Sequence, residues 1–306
     1  MAKKSKILNY KSKILKWVYP PSGWISNYKK TFVYGCANPK AKLFVNDKKI
    51  KIFSNGNFVK TIKLPKKKNV VRLVQILNDK RKIISRNVYV KSVGADQCVC
   101  PKIRQGKHMG LPLQNKNKIV IVIDPGHGGK EHGTHSPKGI PEKVFNLQIA
   151  KLLVGALHAT PLQGKIYLTR TKDKFVSLKT RVNFAKKKKC NILISIHHNA
   201  LPDNQDPLKH RGIGIYYTHD FVKPFAKSLL RSISKSSGLK KYGIFKRNFA
   251  LTRPDFCHAV LIECGFLTHP VESEIVIQKK IQERIVKGIV EAIHKLLLRD
   301  NLTSCF

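Results

Sequence analysis

Three short apolar runs of this 306-residue sequence end in polar side chains, and a further acidic residue opens a predicted helix. In chain order these polar residues are Asp124-Pro-Gly-His127, Glu142, His197-His198-Asn199 and Glu263. Two imidazoles and one carboxylate are a ligand set of catalytic zinc sites, which keep a further position open for water. A separate carboxylate beside them would serve as the base. The residue types therefore predict a hydrolytic metal site.

Each of these residues also has a structural interpretation when it is taken alone. His127 could be a hydrogen-bonded loop histidine, because histidine is often only partly buried. Glu142 could simply face the positive end of the helix macrodipole. Glu263 could be the acidic partner of a buried ion pair. The metal-site hypothesis therefore depends on the fold bringing the four segments together.

The elements that carry these residues alternate between strands and helices from residue 118 to residue 300. Five segments are apolar and short, namely KIVIVID, KIYLTR, NILISIHHN, GIGIYY and AVLIECGF. Helical spacing is found from Pro141 and at 177–189, 221–236 and 281–298. This pattern predicts an α/β domain with a mostly parallel, helix-covered sheet. Ligands bind such sheets at the carboxyl ends of the strands, where the polar residues lie.

The N-terminal part has a different texture. Residues 27–96 contain short β-branched and aromatic segments every 8 to 12 residues, which predicts a small all-β sandwich. The stretch resembles the immunoglobulin-like modules of bacterial envelope enzymes at Tyr34-Gly35, Asn38-Pro39, Val45-Asn46, Asn55-Gly56, Phe58 and Leu64. We expect residues 1–26 to be a basic tail and residues 97–117 to be a linker.

The charge is strongly basic, with 60 Lys and Arg against 17 Asp and Glu and a net charge of +43. Residues 1–116 alone carry 28 basic and three acidic residues. Such a chain attracts polyanions, whether nucleic acid, anionic lipid or a cell-wall polymer. The basic stretches are rich in Lys and lack interleaved aromatic residues, which argues against specific nucleic-acid binding.

The sequence indicates neither a usual targeting segment nor a set of disulfide bonds. The chain has no apolar run of about 18 residues, so we expect no transmembrane segment. The first residues do not match a usual signal peptide. The seven cysteines are scattered and indicate no disulfide framework.

The C-terminal part resembles the zinc-dependent N-acetylmuramoyl-L-alanine amidases of the type-3 amidase family. The resemblance lies in IVIDPGHGGKEHG, IPEKVFNLQIAKLL, YLTRTKDKFVSLKTRVNFA, ILISIHHNALPD and AVLIECGFLTHP, in that order. It implies one zinc ion per chain, with His127, Glu142 and His197 as ligands and Glu263 as the catalytic residue. The implied substrate is peptidoglycan, cleaved between N-acetylmuramic acid and L-alanine. The implied location is the cell envelope, periplasmic or extracellular.

Some positions depart from the family pattern, and these leave the substrate contacts open. They are His198, His269, Lys186 and Asn191. We assign substrate binding to Asn199 and Arg181, and we expect a monomer. No inhibitory helical insertion is expected between His197 and Glu263. Two alternatives remain: an inactive wall-binding protein, and a zinc peptidase or deacetylase acting on wall fragments.

Overall fold

The computed structural model describes residues 15–26, 29–54, 56–90, 119–162 and 164–299. The predicted linker at 97–117 lies outside these residues, as do Cys98, Cys100 and Cys305.

Eight strands of the N-terminal part form two sheets. The strands are β1 (Lys16–Tyr19), β2 (Trp24–Ser26), β3 (Lys30–Cys36), β4 (Lys42–Val45), β5 (Lys48–Ile50), β6 (Asn57–Lys63), β7 (Lys68–Leu77) and β8 (Lys80–Val90). One sheet has the order β1-β3-β6 and the other β2-β8-β7-β4-β5. Val33 and Phe58 of the first sheet and Leu43, Leu73 and Val88 of the second share one buried cluster. The immunoglobulin-like likeness itself stays a prediction.

Strands β1 and β2 lie inside the segment that we expected to be a basic tail. Leu15 and Trp17 are buried while Lys16 and Val18 are exposed, which is the alternation of a half-buried strand. Arg86 covers the Trp17 ring at 4.6 Å from its centroid. Lys16, the one lysine of strand β1, occupies a solvent-facing position of a paired strand.

The C-terminal part contains a six-stranded sheet. Its strands are β9 (Ile119–Pro125), β10 (Gly164–Leu168), β11 (Ile192–Asn199), β12 (Ile213–Tyr217), β13 (Lys241–Lys246) and β14 (His258–Phe266), in the spatial order β10-β9-β11-β14-β12-β13. All neighbouring pairs are parallel except β12 with β14. The predicted α/β domain with a mostly parallel sheet is confirmed.

Five helices accompany this sheet: α1 (Glu142–His158), α2 (Leu178–Lys187), α3 (Lys223–Ser237), α4 (Glu272–Val276) and α5 (Lys279–Arg299), with a 3₁₀ turn at Asp220–Val222. Pro141 precedes α1 with φ −67°, as predicted for a proline at a helix start. Ser177 caps α2 by accepting a hydrogen bond from the backbone N–H of Thr180. None of the helices in the described part of the chain combines the length and the apolar character needed to cross a membrane.

Two elements of this part were not predicted, β13 and α4. Strand β13 is an edge strand with the sequence KYGIFK. Its lysines and glycine interrupt the apolar pattern by which a strand is predicted. Helix α4 is five residues long, which is too short for a helical period to show in the sequence. The reversed direction of β12 and β13 was not predicted either.

Contacts join the N-terminal sheet to loops of the C-terminal part. The Asp203 carboxylate accepts hydrogen bonds from the Thr61 hydroxyl at 2.8 Å and from the Thr61 backbone N–H at 3.3 Å. It also pairs with Lys60 at 3.4 Å. Thr31 donates to the backbone carbonyl of Pro137 at 3.3 Å. The loops that follow β11 and precede α1 therefore both contact the N-terminal sheet.

Candidate metal centre

The two faces of the six-stranded sheet differ in what covers them. Helices α1, α3 and α5 cover one face through an extensive apolar cluster that includes Ile194, Ile196 and Ile262. Side chains alternate along a strand, so Leu193 lies on the other face, where Ala185 of α2 packs against it. We call this second face the site face. It carries Asp124, Ser195, His197 and Glu263, and its register pairs Ser195 with Asp124 and His197 with Glu263.

His127, Glu142 and His197 come together at the carboxyl edge of the sheet. One ligand atom from each lies within 4.8 Å of the others, so the group could hold a metal ion. Glu142 Oε2 lies 3.2 Å from His127 Nε2, and Glu142 Oε1 lies 3.1 Å from His197 Nδ1. Burial raises the pKa of Glu142, but its hydrogen bonds and charge interactions with both histidines outweigh that and hold the pKa well below its usual value. The carboxylate is therefore charged.

Two glycines and one unusual backbone conformation allow these side chains to approach one another. His127 adopts φ 59°, a left-handed conformation that non-glycine residues rarely take. A Cβ on Gly126 would lie 2.2 Å from Cε1 of His197. A Cβ on Gly133, which has φ 68°, would lie 2.4 Å from Glu142 Oε2. Substitution at either glycine would force the ligands apart.

The Glu142 carboxylate is held from three further directions. Its Oε2 accepts from the backbone N–H of Thr134 at 3.1 Å. Its Oε1 accepts from the Asn146 amide and from the backbone N–H of His198, both at 3.0 Å. Asn146 stands one helical turn after Glu142, and its spacing of four residues is the signal by which sequence reasoning could have found it. The carboxylate is thus oriented before any metal binds.

Arg181 lies beneath the loop that carries His127, where it does not face the open site. Its guanidinium is buried and pairs with Asp124 at 2.7 Å. It also donates to the backbone carbonyls of Pro125 at 2.8 Å and His127 at 2.7 Å. Asp124 in turn accepts from the Ser195 hydroxyl at 2.8 Å. This placement differs from the expected substrate contact and makes Arg181 a residue that positions the loop.

A second buried arginine, Arg170, supports the same loop and was missed in the sequence. It donates to the backbone carbonyls of Pro125 at 2.9 Å, Gly126 at 2.8 Å and Lys143 at 2.9 Å. Burial lowers its pKa to about 10. Its only sequence signal is its position two residues after the end of β10, at the same sheet edge as the other site residues.

Glu263 lies beside the group of His127, Glu142 and His197 without being a member of it. Its register partner on β11 is His197. Its Oε2 atom is buried and has no hydrogen-bond partner among the described residues. Burial, followed by the charge of Glu142, raises the pKa of Glu263 well above its usual value. An unpaired carboxylate oxygen next to the ligand group is suited to accepting a proton.

The four departures from the family pattern have separate structural roles. His269 accepts from the backbone N–H groups of Val271 and Glu272 at the start of α4, and burial lowers its pKa to about 4. Asn191 accepts from the backbone N–H of Val120 at 2.7 Å. Lys186 is exposed on α2. None of these three is a member of the ligand group.

His198 lies on the face opposite His197. Its ring packs 5.9 Å from Phe145, and its Nδ1 lies 2.9 Å from the Asn146 side-chain oxygen. Its Nε2 is buried and has no partner among the described residues. Burial lowers its pKa to about 4. The ring is therefore neutral and belongs to the packing between β11 and α1.

Replacement of each neighbouring histidine tests this assignment. We expect His198→Ala to retain its metal ion in elemental analysis, at some loss of stability from the removed ring. We expect His197→Ala to lose most of its metal, because one of three ligands is gone. The opposite result would show that the strand register is displaced by one residue.

Asn199 is near the site and hydrogen-bonds within the protein. Its side-chain oxygen accepts from the backbone N–H of Ala200 at 2.9 Å. Its side chain also hydrogen-bonds Tyr216 of β12. A role of Asn199 in substrate binding stays a prediction.

Comparison with known proteins identifies the family to which the C-terminal part is similar. Residues 121–295, more than half of the chain, match the family described as N-acetylmuramoyl-L-alanine amidase (Amidase_3). The probable cell wall amidase LytH of Staphylococcus saprophyticus is 32% identical over 184 residues, which are 60% of this chain and 58% of that protein. The chain therefore matches less than two thirds of the length of such relatives.

Solved structures show the same fold. The catalytic domain of CwlV, an N-acetylmuramoyl-L-alanine amidase from Bacillus (Paenibacillus) polymyxa, is 33% identical with a TM-score of 0.55, covering 58% of this chain and 98% of that one. The N-acetylmuramoyl-L-alanine amidase of Clostridium difficile 630 is 35% identical with a TM-score of 0.56, covering 60% and 98%. The residues that match the family include the ligand group and Glu263, and the chain belongs to the N-acetylmuramoyl-L-alanine amidase family.

Proposed function

We propose that this chain hydrolyses the amide bond between the lactyl group of N-acetylmuramic acid and L-alanine in peptidoglycan. The observation that carries the proposal is the buried Oε2 of Glu263, which has no hydrogen-bond partner in the described part of the chain and lies beside the group of His127, Glu142 and His197. Membership in the family and the names of its relatives support the choice of substrate.

Zinc is the metal that fits the donor set best. Two imidazole nitrogens and one carboxylate oxygen match the ligands of catalytic zinc sites. Gly126 and Gly133 let the side chains of His197 and Glu142 pack directly against the backbone, which keeps these donors close together. We propose that His127, Glu142 and His197 hold one zinc ion per chain. When bound, zinc supplies Lewis-acid polarisation of the scissile carbonyl and increases the acidity of water.

The residues of the chain supply the proton transfers and the geometry. Glu263 accepts a proton from the attacking water and returns it to the amine of L-alanine as the amide bond breaks. Arg181 and Arg170 hold the loop of His127 through its backbone carbonyls. Asn146 orients Glu142. These contacts fix the ligand side chains before substrate arrives, which is the condition for effective positioning.

Product analysis on purified peptidoglycan tests this function. We expect release of stem peptides that begin with a free L-alanine amine, with the glycan strands left intact. The zinc-free protein should release none until zinc is restored. Amino acids cut from within the stem peptide would identify a peptidase, and acetate would identify a deacetylase. Wall binding with no product would identify an inactive wall-binding protein.

The basic N-terminal part is proposed to strengthen wall binding through charge, and the protein is proposed to act as a monomer in the cell envelope. We expect retention of full-length Glu263→Gln protein on insoluble peptidoglycan to fall steeply with salt, because the Debye length shrinks from about 10 Å at 0.1 M to about 3 Å at 1 M. Lys48→Glu with Lys49→Glu should weaken retention more than Lys186→Glu with Lys187→Glu. Retention that is independent of salt would contradict this account.

A further inference from the structure

Three aromatic side chains form a shelf on the site face next to Glu263. Tyr216 stacks on Phe245 with ring centroids 5.1 Å apart and an interplanar angle of 27°. Phe249 lies 5.4 Å from Tyr216 and is 43% exposed. We call these three residues the aromatic shelf. Among the described residues, none of the three belongs to a buried apolar cluster, so the shelf is not part of the core.

The strand register explains why the shelf reaches Glu263. Gly214 is paired with Glu263, and two residues further along β12 Tyr216 is paired with Phe245. A Cβ on Gly214 would lie 3.5 Å from Cε2 of Tyr216 and 3.5 Å from Cβ of Glu263. A Cβ on Gly243 would lie 2.8 Å from Cζ of Phe245. The Tyr216 ring therefore lies over Gly214, next to Glu263, and the Phe245 ring lies over the adjacent Gly243.

The hydroxyl of Tyr216 is held by a neighbour of the metal site. Burial, followed by the charge of Glu263, raises the pKa of Tyr216, and a hydrogen bond with the Asn199 side chain opposes that rise. The oxygen of the Asn199 side chain also accepts from the backbone N–H of Ala200. The Tyr216 hydroxyl therefore lies close to both Asn199 and Glu263.

These features fit one part of a peptidoglycan substrate better than the other. A pyranose ring has a flat face of C–H groups, which packs on aromatic rings, and hydroxyl and acetamido oxygens at its rim, which accept hydrogen bonds. The side chains of a stem peptide are mostly short or charged, and a row of three rings offers them little. The shelf combines a flat apolar surface with one phenol hydroxyl that can hydrogen-bond a sugar oxygen, which matches the sugar.

We propose that the aromatic shelf is a saccharide subsite, in which a pyranose ring of the glycan packs on the rings while the Tyr216 hydroxyl donates to one of its oxygens. The proposal rests on the proposed function, because it takes peptidoglycan as the substrate. It makes Tyr216 and Phe249 substrate-binding residues, and it makes Asn199 a positioning residue that acts through Tyr216.

Binding measurements test the subsite without hydrolysis. The reference is full-length Glu263→Gln protein loaded with zinc, and the probes are a peptide-free oligomer of N-acetylglucosamine and N-acetylmuramic acid and, separately, a free stem tripeptide. In this background we expect Tyr216→Ala and Phe249→Ala each to weaken affinity for the glycan about 3- to 10-fold. Tyr216→Phe keeps the ring and should lose only about 3-fold. Affinity for the tripeptide should not change.

Phe221→Ala is the matched control. Phe221 is an equally exposed phenylalanine, 47% exposed, that stacks on His219 and touches His258 at the opposite end of β14. It should leave glycan affinity unchanged. Melting temperatures of all variants identify any that fail to fold, and Tyr216→Phe keeps the test valid if Tyr216→Ala does not fold.

Three results would overturn the subsite. The first is unchanged glycan affinity in folded Phe249→Ala and Tyr216→Phe proteins, and the second is no glycan binding by the reference. The third is a loss of affinity confined to the tripeptide, which would place the peptide on the shelf. Failure of the proposed function is a separate observation, since wild-type protein would then release no stem peptide whichever probe binds.

Discussion

Glu263→Gln is expected to reduce release of stem peptides at least about 100-fold while zinc stays near one per chain. General base catalysis contributes about 10²–10⁴ in rate, and a glutamine cannot accept the proton of water. Glu263 is not a member of the ligand group, so its replacement leaves the donors of the metal in place. Product release and elemental analysis of the same preparation measure the two quantities together.

The same variant has a predicted effect on stability that depends on pH. The folded-state pKa of Glu263 is raised by burial and by the charge of Glu142. An acid whose pKa is raised on folding destabilises the protein as pH rises above the unfolded value, here the ordinary 4.5. The glutamine variant lacks this penalty. We expect the metal-free variant to melt at or above the wild-type temperature at neutral pH, and the difference to vanish at acid pH.

Glu272→Ala is the control that separates a catalytic acid from a structural one, because it removes the acceptor of two buried backbone N–H groups. Glu272 is buried, and its carboxylate accepts from the backbone N–H groups of Gly212 and Phe266, each at 2.8 Å. Its replacement should lower the melting temperature and leave the rate per folded molecule near wild type. A folded, zinc-loaded Glu263→Gln protein that still hydrolyses at the wild-type rate would refute the mechanism.

Asp124→Asn is expected to destabilise the protein by about 3–5 kcal/mol, the cost of leaving a buried charge without its partner. Asp124 and Arg181 have side chains only 1% and 2% exposed. Asp124 also accepts from the hydroxyls of Ser195 and Thr169. An amide keeps one acceptor oxygen and turns an N–H group toward these donors, so at least one hydrogen bond is lost.

The Asp124→Asn substitution should also weaken metal binding. Arg181 holds the loop of His127 by its backbone carbonyl, so an unpaired Arg181 would shift that ligand. We therefore expect weaker zinc retention together with the lower unfolding free energy, measured by urea denaturation and by dialysis against a chelator. Asp47→Asn is the control, because Asp47 pairs with Arg72 on the surface and is 71% exposed. Equal unfolding free energies of the two variants would contradict the claim that the buried pair contributes more to stability than the exposed one.

Much of the candidate site could be predicted because each functional residue lies directly at the end of a regular element. His127 follows strand β9, His197 and Glu263 lie near the carboxyl ends of β11 and β14, and Glu142 follows a proline at a helix start. The apolar runs of all three strands are visible in the sequence. The opposite directions of His197 and His198 follow from the two-residue period of a strand. The spacing of residues along one element determines the face on which each of them lies. The placement of the site residues could be predicted from that spacing alone.

Other features were decided only by contacts between distant segments. Arg181 looked available to substrate until its pairing with Asp124, 57 residues away, placed it under the loop. The N-terminal strand β1 was taken for part of a tail, because the lysine-rich sequence of residues 1–26 conceals an alternation that becomes meaningful only when β3 pairs with the strand. Tyr216 reaches Glu263 because β12 runs antiparallel to β14. Periodicity determines faces within an element, whereas the neighbours and direction of that element depend on how the whole chain packs.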